Sequence, residues 1–435
     1  MNKENRDLVL KSLLENKDAL EKRNKEGIEK YRKGNFSIKF ADGKSKDVKI
    51  KQITHKFLFG TTAFMLGSFE DEKKEIIYKE TFAKLFNQAV VPFYWNSIEP
   101  EEGKYRFDKN SEPLYRRPPT DTALEFCRDY DLEPKGHCLV WNLALPDWFI
   151  KTPEEYRKEK VERRFKVISE RYADVIPSFD IVNESATNYR RGKDLFFEDY
   201  DKYALILGDK YFHNNRKIIN ETNGAIWRDY VREGKYMAFN MQLKEMLSEK
   251  IPFDEIGLQY HIFCSSEEMC TKNYLEPYLD FAHIVEILDI YDKYEKPMHI
   301  SEITIPGSGK NEINEEVQAI LAKALYSTWF ATRNMKSIVW WNMVDGYAAY
   351  APLGTDEGEN RCGGGLLRFD MSKKPSFTVL DELINKEWKT NIDNVVRGSE
   401  YTFRGFYGKY EITVDGKKYL VDLDKDNKEF CIPGD

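Results

Sequence analysis

Short apolar runs recur through the middle of the chain, separated by longer stretches in which apolar residues return at helical spacing. The first is Lys56-Phe57-Leu58-Phe59-Gly60, followed by Ala89-Val90-Val91-Pro92-Phe93-Tyr94, Gly136-His137-Cys138-Leu139-Val140-Trp141 and Ser178-Phe179-Asp180-Ile181-Val182-Asn183. Lys217-Ile218-Ile219-Asn220, Ile256-Gly257-Leu258-Gln259-Tyr260, Met298-His299-Ile300-Ser301-Glu302 and Ser337-Ile338-Val339-Trp340-Trp341 complete a set of eight. Near-continuous apolar runs of this length are the pattern of parallel strands covered on both faces. Segments such as Pro153–Tyr172 and Glu315–Thr332 between them read as helices. Eight strand–helix alternations predict the α/β class, as a barrel or a doubly wound sheet. Trp95, Trp141, Glu184, Asn220, His261, Glu302 and Asp345 stand at or just past the carboxyl ends of the runs. Polar and aromatic residues gathered at one end of the strands favour a (β/α)8 TIM barrel, whose working face is that end.

The ends of the chain are patterned differently. Leu8, Val9, Leu13, Leu14 and Leu20 recur at helical spacing among charges, predicting one or two amphipathic helices over residues 5–33. Phe36–Phe40 alternates, Asp42-Gly43 is a turn signal, and Val48-Lys49-Ile50 returns, so residues 36–54 predict a β-hairpin outside the barrel. A last helix is expected near Val379–Glu387. Beyond it, Tyr401–Arg404, Tyr410–Val414 and Tyr419–Val421 read as strands, with a hairpin turn at Asp415-Gly416. Neither β segment has enough apolar surface to stand alone, so the two are expected to form one appendage from both chain ends. The expected organisation is an N-terminal helix and hairpin over 1–54, a catalytic barrel over 55–388 and a small β unit over 389–435.

Composition narrows the function classes. At 435 residues the chain exceeds the ~250 of a plain barrel, leaving room for the appendage. A net charge of −7 argues against electrostatic nucleic-acid binding. No apolar run approaches the ~20 residues of a membrane span, and the charged N-terminal stretch lacks a signal-peptide pattern, so a cytoplasmic setting is expected. The six cysteines form no metal-type cluster and point to a reduced compartment, although Cys264 and Cys270 are close enough in sequence to pair. No metal and no cofactor are expected. The Gly363-Gly364-Gly365 run lacks the Lys-Ser/Thr sequel of a phosphate loop.

The candidate chemistry lies in two glutamates. Glu184 and Glu302 each close a buried run, on the fourth and seventh predicted strands. Retaining glycoside hydrolysis needs two carboxyls about 5–5.5 Å apart, and rim positions on those strands can meet across a barrel mouth. The competing reading makes each glutamate a helix cap or an ion-pair partner. His137, His261, Trp141 and Trp341 likewise have a packing reading beside a functional one.

These residues carry a resemblance. Trp95 with Glu99–Phe107, Gly136–Trp141, Asp180–Glu184, Gly257–His261, Ile300–Glu302, Trp341 with Asp345, and Gly365–Asp370 resemble, in order and spacing, the motifs of glycoside hydrolase family 10, the barrel xylanases. The resemblance covers residues 55–385. It implies a carbohydrate or glycoside substrate, Glu184 as acid/base and Glu302 as nucleophile. It also implies Asn183 on the sugar 2-hydroxyl, with His137, Trp141, Gln259, His261 and Trp341 lining the same subsite. Trp95 and Tyr94 are the candidates on the second strand, with Trp95 as an aromatic wall against Glu184.

Departures from the family pattern shape the functional expectation. Val90, Val91 and Tyr94 stand where polar residues hold a second sugar in the family. Asn142 replaces a His, Ala144 a Gln and Ala349 a rim Trp, with Tyr350 beside it. Thr304 replaces the Asp that orients the histidine, so His261 needs another partner. The expected activity is a retaining β-glycosidase with an altered −2 subsite, acting on short β-xylosides, β-glycosides or oligosaccharides. An ordinary endo-1,4-β-xylanase, an enzyme acting on a phosphorylated or other non-sugar substrate, and a catalytically silent sugar-binding protein are the alternatives.

Overall fold

The structure is a computed structural model, which describes residues 1–41, 44–228, 230, 232–309 and 311–432. Two strands, β1 (Lys33–Lys39) and β2 (Lys46–His55), precede the barrel. The barrel strands are β3 (Leu58–Thr62), β4 (Gln88–Pro92), β5 (Glu133–Val140) and β6 (Ser178–Asn183). They continue with β7 (Arg216–Glu221), β8 (Glu255–His261), β9 (Met298–Thr304) and β10 (Met335–Trp340). Each pairs in parallel with the next, and β10 closes onto β3. Every residue of β6, β8 and β9 is buried, as their unbroken apolar character requires. The expected helices are present as Glu154–Tyr172 and Glu312–Phe330, the second opened by Asn311, whose side chain accepts from Ile313 N.

The N-terminal stretch folds as three helices, Lys3–Val9, Lys11–Glu15 and Lys17–Tyr31. The third crosses the end of the Glu312–Phe330 helix at Gly27, where a Cβ would sit 2.3 Å from Ala331 O. Glycine is the residue that lets the two backbones approach this closely.

Beyond the barrel the chain adds β11 (Asn391–Val396), β12 (Glu400–Phe406), β13 (Gly408–Val414), β14 (Lys417–Leu423) and β15 (Glu429–Cys431). The expected hairpin over 36–54 is corrected here. β1 and β2 are both strands, but β1 lies between β12 and β15 while β2 lies between β11 and β13. The turn signal Asp42-Gly43 lies outside the described residues. The Asp415-Gly416 turn does form, with φ 46 and 84, and joins β13 to β14. The two sheets enclose their own core of Phe36, Ile38, Val48, Ile50, Tyr410 and Ile412 among others. Phe406 and Trp388 instead join the barrel core, Trp388 stacking on Phe330 at 4.3 Å.

All six cysteines are free thiols, so Cys264 and Cys270 are not paired. Among the described residues no helix is long and apolar enough to cross a membrane.

Candidate active site

β6 delivers Asn183 at its last position, and the chain then turns sharply. Glu184 adopts a left-handed backbone, φ 56. A non-glycine residue in that region costs about 1–2 kcal/mol, so its surroundings must hold it. Glu184 N donates to Asn220 O at 2.8 Å, Asn188 N donates to Glu184 O at 3.0 Å, and Ala186 N donates to the Glu221 carboxyl at 2.7 Å. The turn aims the Glu184 carboxyl at three donors: Trp141 Nε1 at 3.1 Å, Gln259 Nε2 at 3.1 Å and Asn188 Nδ2 at 3.3 Å.

Glu302 lies within β9, three strands away. Its Oε2 meets His261 Nε2 at 3.0 Å and its Oε1 accepts from Asn220 Nδ2 at 3.0 Å. His137 Nε2 stands 3.8 Å from Oε1, while His137 Nδ1 is held by Asp180 at 2.7 Å and Asp180 by Lys135 at 2.9 Å.

Three amides link the carboxyls. Asn183 Oδ1 accepts from Asn220 Nδ2 at 2.8 Å and from Gln259 Nε2 at 3.3 Å. Each of those donors also binds one glutamate. Occupying Oδ1 in this way leaves the Asn183 amide N–H groups for a ligand, since among the described residues they meet no acceptor. The position depends on Gly257, where a Cβ would lie 2.3 Å from Asn220 Oδ1.

Burial pushes both carboxyls above the ordinary glutamate range. For Glu184 the charge of Glu302 adds to the rise, while the Gln259 and Trp141 bonds oppose it. For Glu302 the His137 side chain, Lys135 and the Asn220 bond oppose the rise, and Asp180 adds to it. The charge of Glu302, where present, holds the proton on Glu184.

An aromatic wall surrounds the pair. Tyr94 packs 5.3 Å from Trp141 and 5.5 Å from His137, and Trp341 lies 5.6 Å from His137 and 5.8 Å from His261, ring centre to ring centre. Phe64, Val90, Tyr94, Cys138, Ala144, Val339 and Trp341 form one buried cluster beneath it. Val91 belongs to the main core instead.

The structure therefore brings Glu184, Glu302, Asn183, His137, Trp141, Gln259, His261, Trp341 and Tyr94 together. Trp95 is the exception. It is buried, its Nε1 donates to Glu99 at 2.8 Å, and its ring packs on Phe149 and Trp148. The carboxyl end of β4 turns Tyr94, not Trp95, to the cleft, so the wall against Glu184 is Trp141. Tyr350 is 79% exposed on the rim.

The missing partner of His261 is Thr304 itself, whose Oγ1 lies 2.9 Å from Nδ1. Asn220, read from the sequence as a rim residue, belongs to the site as well; Phe64, Phe263, Arg116, Arg117 and Glu359 are among its surroundings and were not read from the sequence. The Arg116-Arg117-Pro118-Pro119 run in a long loop after a barrel strand was the available signal for the arginines. Among the described residues no group of His, Cys, Asp or Glu is arranged to hold a metal ion.

Comparison with known proteins agrees with this geometry. The family described as Glycosyl hydrolase family 10 matches residues 50–356. Endo-1,4-beta-xylanase A of Caldicellulosiruptor saccharolyticus is 26% identical over 249 residues, which is 53% of this chain and 64% of that protein. The endo-1,4-beta-xylanase/feruloyl esterase of Xylanibacter ruminicola is 27% identical over 229 residues, 47% of this chain and 30% of that protein. The chain thus spans less than two thirds of the length of either relative. Xylanase 10B from Thermotoga petrophila RKU-1, solved in complex with xylobiose, shares the fold with a TM-score of 0.60 at 21% identity, over 76% of this chain and 95% of that one.

Proposed function

Because the chain belongs to glycosyl hydrolase family 10, we propose that it is a retaining β-glycoside hydrolase working by double displacement through Glu302 and Glu184. The observation that carries the reading is the amide bridge through Asn183, Asn220 and Gln259, which fixes two buried carboxyls in one network.

The ionised Glu302 attacks the anomeric carbon. As the glycosidic C–O bond breaks, the leaving oxygen takes the proton of Glu184. The covalent ester removes the Glu302 charge, so Glu184, now ionised, no longer faces an anion. It accepts a proton from water as the water oxygen attacks the anomeric carbon and the ester bond breaks, restoring the starting configuration. Asn183 N–H groups donate to the sugar 2-hydroxyl, a contact worth several kcal/mol in such transition states.

The substrates are short β-xylosides, other β-glycosides or oligosaccharides. Val90 gives sugar hydroxyls no partner on the β4 side, which leaves them the single hydroxyl of Tyr94, and each buried, unpaired hydroxyl costs about 1–3 kcal/mol. The names of the relatives favour a second reading, an ordinary endo-1,4-β-xylanase. The six free thiols support a reducing, cytoplasmic setting.

The test is product analysis and kinetics on polymeric xylan, xylo-oligosaccharides and aryl β-glycosides. A first-formed β-anomer by NMR and the highest kcat/KM on the short substrates are expected. An α-anomer would remove the retaining mechanism, and xylan as the best substrate would select the second reading. Glu302→Ala should abolish turnover, and azide should restore some of it on an activated aryl glycoside with an inverted product.

A further inference from the structure

Two adjacent arginines end the loop between β4 and the Thr120–Asp129 helix. Arg116 is buried with a left-handed backbone, φ 58, and its guanidinium donates to Tyr347 O and, at 2.7 Å, to Asn342 Oδ1. These bonds fix the loop against the barrel mouth. Arg117 is half-buried. Its guanidinium carbon lies 4.2 Å from the Tyr94 ring centre and 5.2 Å from that of Phe64. Its Nη1 donates to Arg116 O at 2.8 Å, and its Nε and Nη2 meet no acceptor among the described residues. Neither arginine forms an ion pair among the described residues.

The location is specific. Tyr94, on which Arg117 lies, packs against both His137 and Trp141, the neighbours of Glu302 and Glu184. The acid Glu184 follows β6, so the leaving group departs on that side. The wall built after β3 and β4 faces the retained sugar.

Charges of both signs meet at this wall. Glu359 is a carboxyl that reaches both arginines as well as His261. Burial pushes Glu359 toward its neutral form, and its Oε2 is buried without a hydrogen-bond partner among the described residues. Two neighbouring cations thus stand at this wall beside Glu359 and the nucleophile Glu302, and neither is committed to an ion pair among the described residues. A guanidinium held over an aromatic ring and anchored through Nη1 offers its remaining N–H groups as a planar fork, which matches the paired oxygens of a carboxylate better than a single hydroxyl.

Building on the glycosidase reading, we propose that Arg117 is a specificity residue that binds a carboxylate on the retained sugar, so that β-glycosides of uronic acids are preferred substrates.

Two 4-methylumbelliferyl glycosides, the β-D-glucuronide and the β-D-glucoside, differ only in the carboxylate and give the direct test. The glucuronide should have the higher kcat/KM by about tenfold or more at low salt. That ratio should shrink with added salt and fall to near unity in Arg117→Gln. Arg117→Lys, which keeps the charge and loses the fork, should retain part of it. A glucoside rate equal to or above the glucuronide rate overturns the proposal, as does an unchanged ratio in Arg117→Gln. Calorimetric titration with free D-glucuronate and D-glucose separates this proposal from the glycosidase reading. If neither glycoside is cleaved, tighter binding of glucuronate that is lost in Arg117→Gln sustains the proposal and overturns the glycosidase reading alone. Equal binding of the two sugars overturns the proposal.

Discussion

Thr304 shows how one side chain sets the chemistry of the next. Burial lowers His261 to about 4, so the imidazole is neutral at working pH and has one N–H. The ionised Glu302 needs that N–H on Nε2, which makes Nδ1 an acceptor. The Thr304 hydroxyl, 2.9 Å away, supplies the matching donor. The sequence showed that an aspartate was missing here but not that a hydroxyl could replace it, because the tautomer follows from three groups meeting in space. Thr304→Val keeps the shape and strands Nδ1, at a cost of about 1–3 kcal/mol. If most of that falls on the transition state, kcat drops roughly ten- to hundredfold, which steady-state kinetics on an aryl glycoside would register. Thr304→Asp acts oppositely on charge. An acceptor on Nδ1 favours the imidazolium, whose positive charge lowers the pKa of Glu302. Glu302 must be ionised to attack, so the acid limb of the kcat/KM–pH profile should move to lower pH. A limb that does not move would detach His261 from the nucleophile.

At the scale of elements, the strands were legible because burial on both faces writes a pattern that needs no partner to be read. The rim was less so, since a side chain's direction there depends on where a strand stops. β4 ends at Pro92 and the next helix begins at Trp95, which turns Tyr94 to the cleft and Trp95 to the helices. Pairing was also hidden. The alternation in β1 and β2 identified two strands, but not that each would take its partners from the other end of the chain. Gly257 on β8 illustrates a constraint between elements that spacing alone does not reveal. Its missing side chain makes room for Asn220 on β7, the amide that joins Asn183 to Glu302. Gly257→Ala should displace that amide and cost on the order of a hundredfold in kcat/KM, together with about 1–3 kcal/mol of stability by denaturant titration. The same substitution in an Asn220→Ala background should cost far less activity, because the contact it disrupts is already gone. Equal losses in both backgrounds would place the role of Gly257 elsewhere.

At the scale of the whole molecule, the barrel and the two-sheet unit are tied by the path of the chain. We propose that the barrel ends near residue 388 and that the unit after it cannot be removed as an appendage. β1 and β2 are each the strand between two others, and all four of those partners come from the C-terminal segment. Phe36, Ile38, Val48 and Ile50 are buried in a core shared with Phe403, Tyr410, Ile412 and Val414. A chain ending at residue 389 would leave both N-terminal strands with open edges and their apolar faces in water, the arrangement that promotes edge-to-edge aggregation. The junction would suffer too. The buried His55, held neutral with its pKa lowered to about 3, hydrogen-bonds Ile384 O at 3.1 Å and packs 5.8 Å from Phe406, which the truncation removes. The shortened chain should therefore be insoluble or oligomeric by size-exclusion chromatography. Co-expression with the 390–435 segment should restore a soluble species, since the missing strands can pair in trans. A monomeric truncated chain with the melting temperature and activity of the full protein would show that the barrel needs nothing from its second core.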